Sequence, residues 1–171
     1  MGVFLKEYIN IFIRIFITPI NYLEKYSGDN ISFLIRNTKN KLKGYNHYFS
    51  FNKKHKLYFI KDKNNIHYFA NRRRGFDLYR NGLEFRANTL ANSYILEMID
   101  FQKGDLVIDC GANYADLWLF FKNLIKEENY ISFEPGSEEF ASISQNVFNG
   151  KNNNIGLGET NEENQFFING Y

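Results

Sequence analysis

Two acidic residues that end short apolar runs are the residues of this 171-residue sequence best placed for chemistry. Asp109 ends the run that begins at Leu106, and Glu134 ends a second run 25 residues further along the chain. A separation of roughly 20 residues is typical of an acidic side chain that binds ribose hydroxyls beyond a first strand and turn. A carboxylate in that position can accept from both hydroxyls. The pair therefore predicts a nucleotide-type ligand.

The elements that must position this pair are a strand, a tight turn and a helix. Val107 and Ile108 favour a strand, and Gly111 opens a small-residue turn. Apolar residues at helical spacing follow the turn, namely Leu117, Phe120, Phe121, Leu124 and Ile125. This order is the start of a βαβ unit, in which nucleotides bind at the turn. Gly111 would let a ligand approach the backbone, and the helix after it would present unpaired N–H groups.

The turn lacks the further glycines of a dinucleotide-binding fingerprint. Asn113 and Asp116 stand where such a fingerprint has its second and third glycine. Without them no cradle for a pyrophosphate is visible, which disfavours NAD and suits a ligand without phosphates. S-adenosylmethionine is such a ligand. A dehydrogenase half-domain that binds NAD remains an alternative.

Three segments, taken in order, resemble the front half of FkbM-type methyltransferases: VIDCGANYADLWLFF, FEPGSEEFASISQN and IGLGETNEENQFFI. The resemblance covers about residues 79–168, and GAN followed by FEP is more specific than either motif alone. Members of that family are S-adenosylmethionine-dependent O-methyltransferases, many of which act on sugars, glycans or secondary metabolites. The resemblance implies a cofactor site formed by Asp109, Gly111, Ala112, Asn113, Asp116, Glu134 and Pro135.

The chain departs from the family's pattern in two places. Ala115 stands where the family usually has glycine, so backbone approach to the methionine portion is expected to be tighter. The family also continues to a further strand with an acidic Asp-x-Glu-Gly type motif, which does not occur before the sequence stops at Tyr171. The resemblance therefore predicts a truncated methyltransferase that is inactive alone and self-associates through an uncovered sheet edge. A non-catalytic remnant is the alternative.

No residue is assigned as the catalytic base. His67 is the only residue of a suitable type near the predicted site, and a strand histidine that faces solvent is its simpler interpretation. The three histidines lack metal-ligand spacing, and the single cysteine, Cys110, excludes both an internal disulfide and a cysteine-based zinc site. The sequence therefore predicts no metal, and its cysteine usage fits the cytoplasm.

Charge is distributed unevenly along the chain, although its net value is only +2. Residues 36–86 carry 14 Lys and Arg against 3 Asp and Glu, whereas residues 87–171 carry 4 against 13. The basic middle segment predicts contact with an anionic small-molecule or glycan acceptor, or with lipid headgroups. Aromatic residues alternate with its lysines, but no recognised RNA-binding signature occurs, so nucleic acid is not favoured.

The N-terminal part of the chain is predicted to be helical. Residues 3–17 form an apolar helix with one polar stripe, too short and too charged to span a membrane. Peripheral membrane contact is its functional interpretation, and packing against protein is the structural one. Thr18 is expected to cap a second helix that ends near Gly28, and Asp29 to cap a third that ends at Gly44.

The remaining patterns complete an α/β prediction. Aromatic runs predict three strands at residues 48–51, 57–60 and 66–69, with a hairpin turn at 62–65. Helices are predicted at residues 83–100 and from Ser137 to about 148, and short strands at 154–157 and 165–168. The expected fold is a partial Rossmann-like methyltransferase sheet over residues 82–171. Residues 1–81 would form a basic appendage of helices and a small β element.

Overall fold

The computed structural model describes residues 17–159, and these form six α-helices and two three-stranded sheets. The helices are α1 Thr18–Tyr26, α2 Asp29–Leu42, α3 Arg72–Leu78, α4 Leu83–Ser93, α5 Trp118–Phe121 and α6 Ser137–Asn146. The strands are β1 His47–Asn52, β2 Leu57–Asp62, β3 Asn65–Phe69, β4 Val107–Cys110, β5 Tyr130–Phe133 and β6 Lys151–Asn153. The predicted mixed α/β class is confirmed.

The first sheet is an antiparallel meander of β1, β2 and β3 in chain order. Its strands are built from the three aromatic runs, because aromatic and β-branched side chains pack well on a pleated surface. Asp62 lies opposite Asn65 across a two-residue connection, in which Lys63 has a φ of 54°. The three predicted strands and their hairpin turn are confirmed.

The second sheet is parallel, with the order β4-β5-β6. Val107 pairs with Tyr130 and Cys110 with Phe133, so the carboxyl ends of β4 and β5 lie side by side. Within residues 17–159, β4 pairs with β5 alone and its other edge is open. Ile108 is 56% exposed on the uncovered face of this sheet. Within residues 17–159, helices pack on one face of this sheet, and Ile108 lies on the other.

Two hydrophobic cores support these sheets. The first packs the inner face of the meander against α3 and α4, and it also takes in Tyr114 and Leu119. It therefore crosses the predicted boundary after residue 81. The second core packs Tyr130 of β5 against Trp118, Phe121 and Ile143 of the two helices that cover the parallel sheet. Residues 111–121 contribute to both cores, which fixes the turn after β4 between the two sheets.

Gly75 lets α3 lie directly against the meander. A Cβ at this position would overlap the ring of Phe69, which is completely buried. We therefore expect Gly75→Ala to lower the free energy of unfolding by about 1–3 kcal/mol, because overpacking outweighs the better helix propensity of alanine, which is at most about 1 kcal/mol. Gly104→Ala is the matched control, since a Cβ there meets nothing within 4 Å. Urea unfolding of both variants tests the prediction, and equal stabilities would contradict it.

Several predicted boundaries are wrong in the second half of the chain. The helix predicted over residues 83–100 ends at Ser93, and Ile95 then takes a left-handed φ of 57°. Four apolar residues assigned to its core face are more than half exposed, namely Tyr94, Ile95, Met98 and Ile99. The last described strand lies at Lys151–Asn153 and not at residues 154–157. The strand predicted at residues 165–168 lies outside the described residues.

The predicted helix caps are also wrong, although the helices they belong to exist. Ile17 has helical dihedral angles, so Thr18 lies inside α1, and Asp29 and Ser137 are first helical residues after glycines. The apolar face of α2 points to solvent, with Leu34 68% exposed, whereas Asn40 is buried. Residues 3–16 lie outside the described part of the chain. No helix within residues 17–159 is long and apolar enough to cross a membrane.

Candidate functional site

The acidic residue after β5 contacts the turn after β4. The Glu134 carboxylate accepts the backbone N–H of Asn113 at 2.7 Å through Oε2, and that of Gly136 at 2.9 Å through Oε1. Asp109 lies in β4 opposite Ser132 of β5. Parallel pairing therefore brings the predicted residues of the two strand ends together, because both strands end at the same edge of the sheet.

The backbone donors of the turn are already used inside the protein. The N–H groups of Gly111 and Ala112 both donate to the carbonyl of Phe133, at 2.9 and 3.0 Å. Gly111 and Asn113 have positive φ values of 77° and 52°, which wrap the chain around that carbonyl. Since the Asn113 N–H is bound by Glu134, three consecutive donors of the turn are unavailable to a pyrophosphate. The protein must therefore recognise a ligand at this turn mainly through its own hydrogen-bond acceptors.

The side-chain carbonyl of Asn113 is an acceptor of this kind. Its Oδ1 is buried and has no hydrogen-bond donor among the described residues. A buried acceptor without a partner costs free energy that a donor on a bound ligand would recover. Pro135, the last residue of the predicted set, follows Glu134, and its own carbonyl accepts from Asn154 Nδ2 at 3.2 Å. Pro135 thus helps to hold the loop after β6 against the acidic turn.

Asp109 is a buried carboxylate, and its side chain accepts a hydrogen bond from the Tyr130 hydroxyl. Burial raises the pKa of Asp109 above its ordinary value; the hydrogen bond from Tyr130 opposes this rise, and the negative charges of Asp116 and Glu134 add to it. The same burial holds the pKa of Tyr130 well above its ordinary range, so this hydroxyl stays a donor. The carboxylates of Asp109 and Glu134 make the electrostatic potential at the strand ends negative, which favours a cationic ligand over an anionic one.

The raised pKa of Asp109 gives a pH-dependent prediction. A carboxyl group with a raised pKa in the folded state stabilises the fold only while it is protonated, and this contribution is lost as pH rises through that pKa. We therefore expect Asp109→Asn to be more stable than the wild type at pH 7. The difference should narrow as pH falls towards about 4, the ordinary carboxyl pKa. Urea unfolding at both pH values tests this, and a variant that is less stable at pH 7 would contradict it.

Asp116 lies in a buried network on the side of the first core. Its Oδ1 accepts from Tyr79 at 2.5 Å and contacts His67 Nε2 at 3.0 Å, while its Oδ2 accepts from Arg86 Nε at 2.8 Å. Burial would raise the pKa of Asp116, but the hydrogen bonds from His67 and Tyr79 and the charge of Arg86 outweigh it, so that pKa lies below its ordinary value. The interpretation of His67 as a solvent-facing histidine is wrong, because the residue is 2% exposed.

The region between the turn and α5 differs from the predicted pattern. The helix begins only at Trp118 and ends at Phe121, and Ala115 has a positive φ of 58° before it. The helix predicted from the spacing of Leu117 to Ile125 is therefore shorter than predicted, and the N–H groups of the turn that were expected to be unpaired are bound within the protein.

Two residues that hold the site were not identified from the sequence. Tyr130 binds Asp109, and Asn146 of α6 joins the turn to the meander. The Asn146 amide accepts from Tyr68 N at 2.7 Å and donates to the carbonyls of Tyr68 and Tyr114, each at 2.8 Å. The contact of Tyr130 with Asp109 could have been predicted, because Tyr130 lies opposite Val107 and alternate residues of a strand share a face. Asn146 gave no signal, since its partners lie far away in the sequence.

Comparisons with known proteins give no family for this chain. No family model matches it, and searches of curated proteins and of solved structures found no match either. Any functional assignment therefore depends on the motifs in the sequence and on the geometry of the two strand ends.

Proposed function

We propose that the turn after β4 and the acidic end of β5 bind S-adenosylmethionine, as in the O-methyltransferases of the FkbM type that the sequence resembles. The observation that carries the proposal is the direct contact between Glu134 and the turn at Asn113. Each carboxylate oxygen of Glu134 accepts one backbone N–H and keeps a second lone pair. Ribose hydroxyls can therefore be bound without breaking the turn.

The electrostatics of the strand ends favour this cofactor over NAD. Asp109 and Glu134 concentrate negative charge, whereas the charge of Asp116 is paired with Arg86, and the N–H groups of Gly111 and Ala112 are bound to Phe133. A pyrophosphate would meet carboxylates without backbone donors, whereas a sulfonium and an ammonium group are attracted to them. An NAD-binding half-domain is therefore the weaker alternative.

The reaction of this family type is methyl transfer to an acceptor hydroxyl of a sugar, glycan or secondary metabolite. When bound, S-adenosylmethionine supplies an activated methyl group on a sulfonium. The protein's contribution would be to orient the acceptor oxygen and to take up the hydroxyl proton. No described residue is assigned as that base. His67 is committed to Asp116 inside the core, so it is not proposed for the role.

The proposal concerns the cofactor-binding half of such an enzyme. Within the described residues β4 has one neighbour, whereas the corresponding strand of a doubly wound sheet has two. The open edge and the exposed Leu106 and Ile108 beside it form a surface on which a further strand could pair. Self-association of the chain through this edge stays a prediction, as does peripheral membrane contact.

Calorimetry with the wild-type chain tests the proposal. S-adenosylmethionine and its demethylated product S-adenosylhomocysteine are each expected to bind, while NAD is expected to bind at least tenfold more weakly. The product lacks the sulfonium charge, so a weaker affinity for it would measure the contribution of the acidic strand ends. Binding of NAD with equal or higher affinity would contradict the proposal and favour the dehydrogenase alternative.

A further inference from the structure

A second site is suggested by a cavity between the N-terminal helices and α3. Its volume is about 630 Å³, within the usual range for small-molecule sites. Four cationic and two acidic side chains line it, a net charge of +2. This cavity therefore has the opposite electrostatic character from the acidic strand ends. Its polar groups point to a ligand that carries both negative charge and hydroxyl groups.

The cations around the cavity are held by aromatic rings. The guanidinium carbon of Arg73 lies 5.0 Å from the ring centroid of Tyr26, and that of Arg74 lies 5.5 Å from the ring of Tyr114. The Lys25 ammonium lies 5.1 Å from the centroid of the same Tyr26 ring. Stacked guanidinium groups lose little further freedom on binding, and their planar donors match carboxylate and phosphate oxygens.

Two of these charges are not neutralised within the described residues. Arg36 is paired with the buried Glu24 at 2.5 Å, whereas Arg73 and Lys25 have no carboxylate within ion-pair distance among residues 17–159. Arg74 is 3.9 Å from Glu139, the outer limit of an ion pair. The amides of Asn21 and Asn71 and the carboxylate of Asp77 also line the cavity. They supply donors and acceptors for hydroxyl groups.

One residue that lines the cavity, Arg74, connects it to the proposed cofactor turn. Arg74 lines the cavity and lies over the ring of Tyr114, the residue directly after Asn113. Its other neighbour, Glu139, lies against Gly136, whose N–H is bound by Glu134. Arg74 thus links the cavity to the turn after β4 through the ring of Tyr114, and to the loop after β5 through Glu139.

We propose that this cavity binds the acceptor of the reaction, and that the acceptor is a hydroxyl-bearing anion such as a sugar phosphate or a sugar acid. The role of the cavity as the acceptor site rests on the proposed function. Binding of the anion can nevertheless be measured without any cofactor. The acidic strand ends and the basic cavity would then hold a cationic donor and an anionic acceptor side by side.

Calorimetric or NMR titration of the full chain with glucose 6-phosphate, glucuronate, glucose and inorganic phosphate tests the inference. Both acidic sugars should bind more tightly than glucose, and glucose 6-phosphate more tightly than phosphate. Arg73→Gln and Lys25→Gln should each weaken their binding about tenfold, the loss expected for one charged hydrogen bond. Lys53→Gln, which removes an exposed charge from the β1–β2 connection, should leave it unchanged.

The outcomes separate this inference from the proposed cofactor site. Arg73→Gln should leave S-adenosylmethionine binding unchanged, and Glu134→Ala should leave glucose 6-phosphate binding unchanged. Equal affinity for glucose and glucose 6-phosphate, or no effect of Arg73→Gln and Lys25→Gln, would overturn the inference. Inorganic phosphate binding as tightly as glucose 6-phosphate would mean a simple ion site and would also overturn it. A chain that binds no sugar, but binds phosphatidylglycerol vesicles in a manner that depends on Arg73, would also overturn the inference. That result would identify a membrane contact.

Discussion

Asp116→Ala is expected to lower the free energy of unfolding by about 3–5 kcal/mol, the usual cost of removing one partner from a buried ionic network. The substitution leaves three polar groups without their acceptor, and two of them, on His67 and Tyr79, are almost fully buried. Arg86 loses both of its contacts with Asp116 Oδ2, from Nε at 2.8 Å and from Nη2 at 2.7 Å. Because these residues come from the meander, from the segment after α3 and from α4, the loss should affect unfolding of the whole chain.

Denaturant unfolding measured by circular dichroism tests this expectation. Asp100→Ala is the matched control, because it removes an exposed carboxylate and should change stability by less than about 0.5 kcal/mol. Since the pKa of Asp116 is lowered, its contribution is present above the ordinary carboxyl pKa and is lost as pH falls through the folded-state value. The gap between wild type and variant should therefore shrink in acid. A loss of less than 1 kcal/mol at pH 7 would contradict the role of Asp116 as a structural hub.

Glu134→Ala should weaken S-adenosylmethionine binding by about 1–3 kcal/mol, through loss of charge-assisted hydrogen bonds to the ribose. The variant also frees the N–H groups of Asn113 and Gly136, so the turn itself becomes less ordered. Both effects act in the same direction on affinity. They differ in their effect on stability, because only the loss of the two turn hydrogen bonds destabilises the protein without ligand.

Calorimetry of the variant needs a control that carries the same change of charge. Glu138→Ala removes an exposed carboxylate from the first turn of α6, four residues further along, and should leave binding within a factor of two. The free energy of unfolding of both variants without ligand shows how much Glu134 stabilises the turn. This effect can then be distinguished from the contact of Glu134 with the ligand. Unchanged affinity in a folded Glu134→Ala variant would remove Glu134 from the site.

Local pattern was sufficient to predict the meander, the end of β5 and the acidic turn. The meander could be predicted because its aromatic runs alternate and the two-residue connection after Asp62 is short. Strand β5 ends directly before Glu134, where the second apolar run was predicted to end, and the turn at Gly111 takes the positive φ that favours glycine. In these places the information lies within a few neighbouring residues, and no distant contact overrides it.

The rest depends on partners that are distant in the sequence. Asp116 was predicted to contact the cofactor, yet its side chain is bound by His67 and Arg86, 49 and 30 residues away. Ile31, Leu34 and Leu42 of α2 are exposed, and the side that packs inward combines Phe33 with the polar residues Ser32 and Asn40. Ser32 donates to the carbonyl of Glu24 at 2.7 Å, a contact between two helices that periodicity cannot reveal.

The central claim is that the ends of β4 and β5 bind S-adenosylmethionine together, and an amide NMR titration of the ¹⁵N-labelled chain tests it most directly. Each strand end contributes backbone N–H groups that report on the Glu134 carboxylate, those of Asn113 and Gly136. Addition of S-adenosylmethionine is predicted to shift these two signals and that of Gly111, in a saturable manner, while the signal of Gly104 stays in place. Shifts confined to other parts of the chain, or none at all at saturating ligand, would contradict the account.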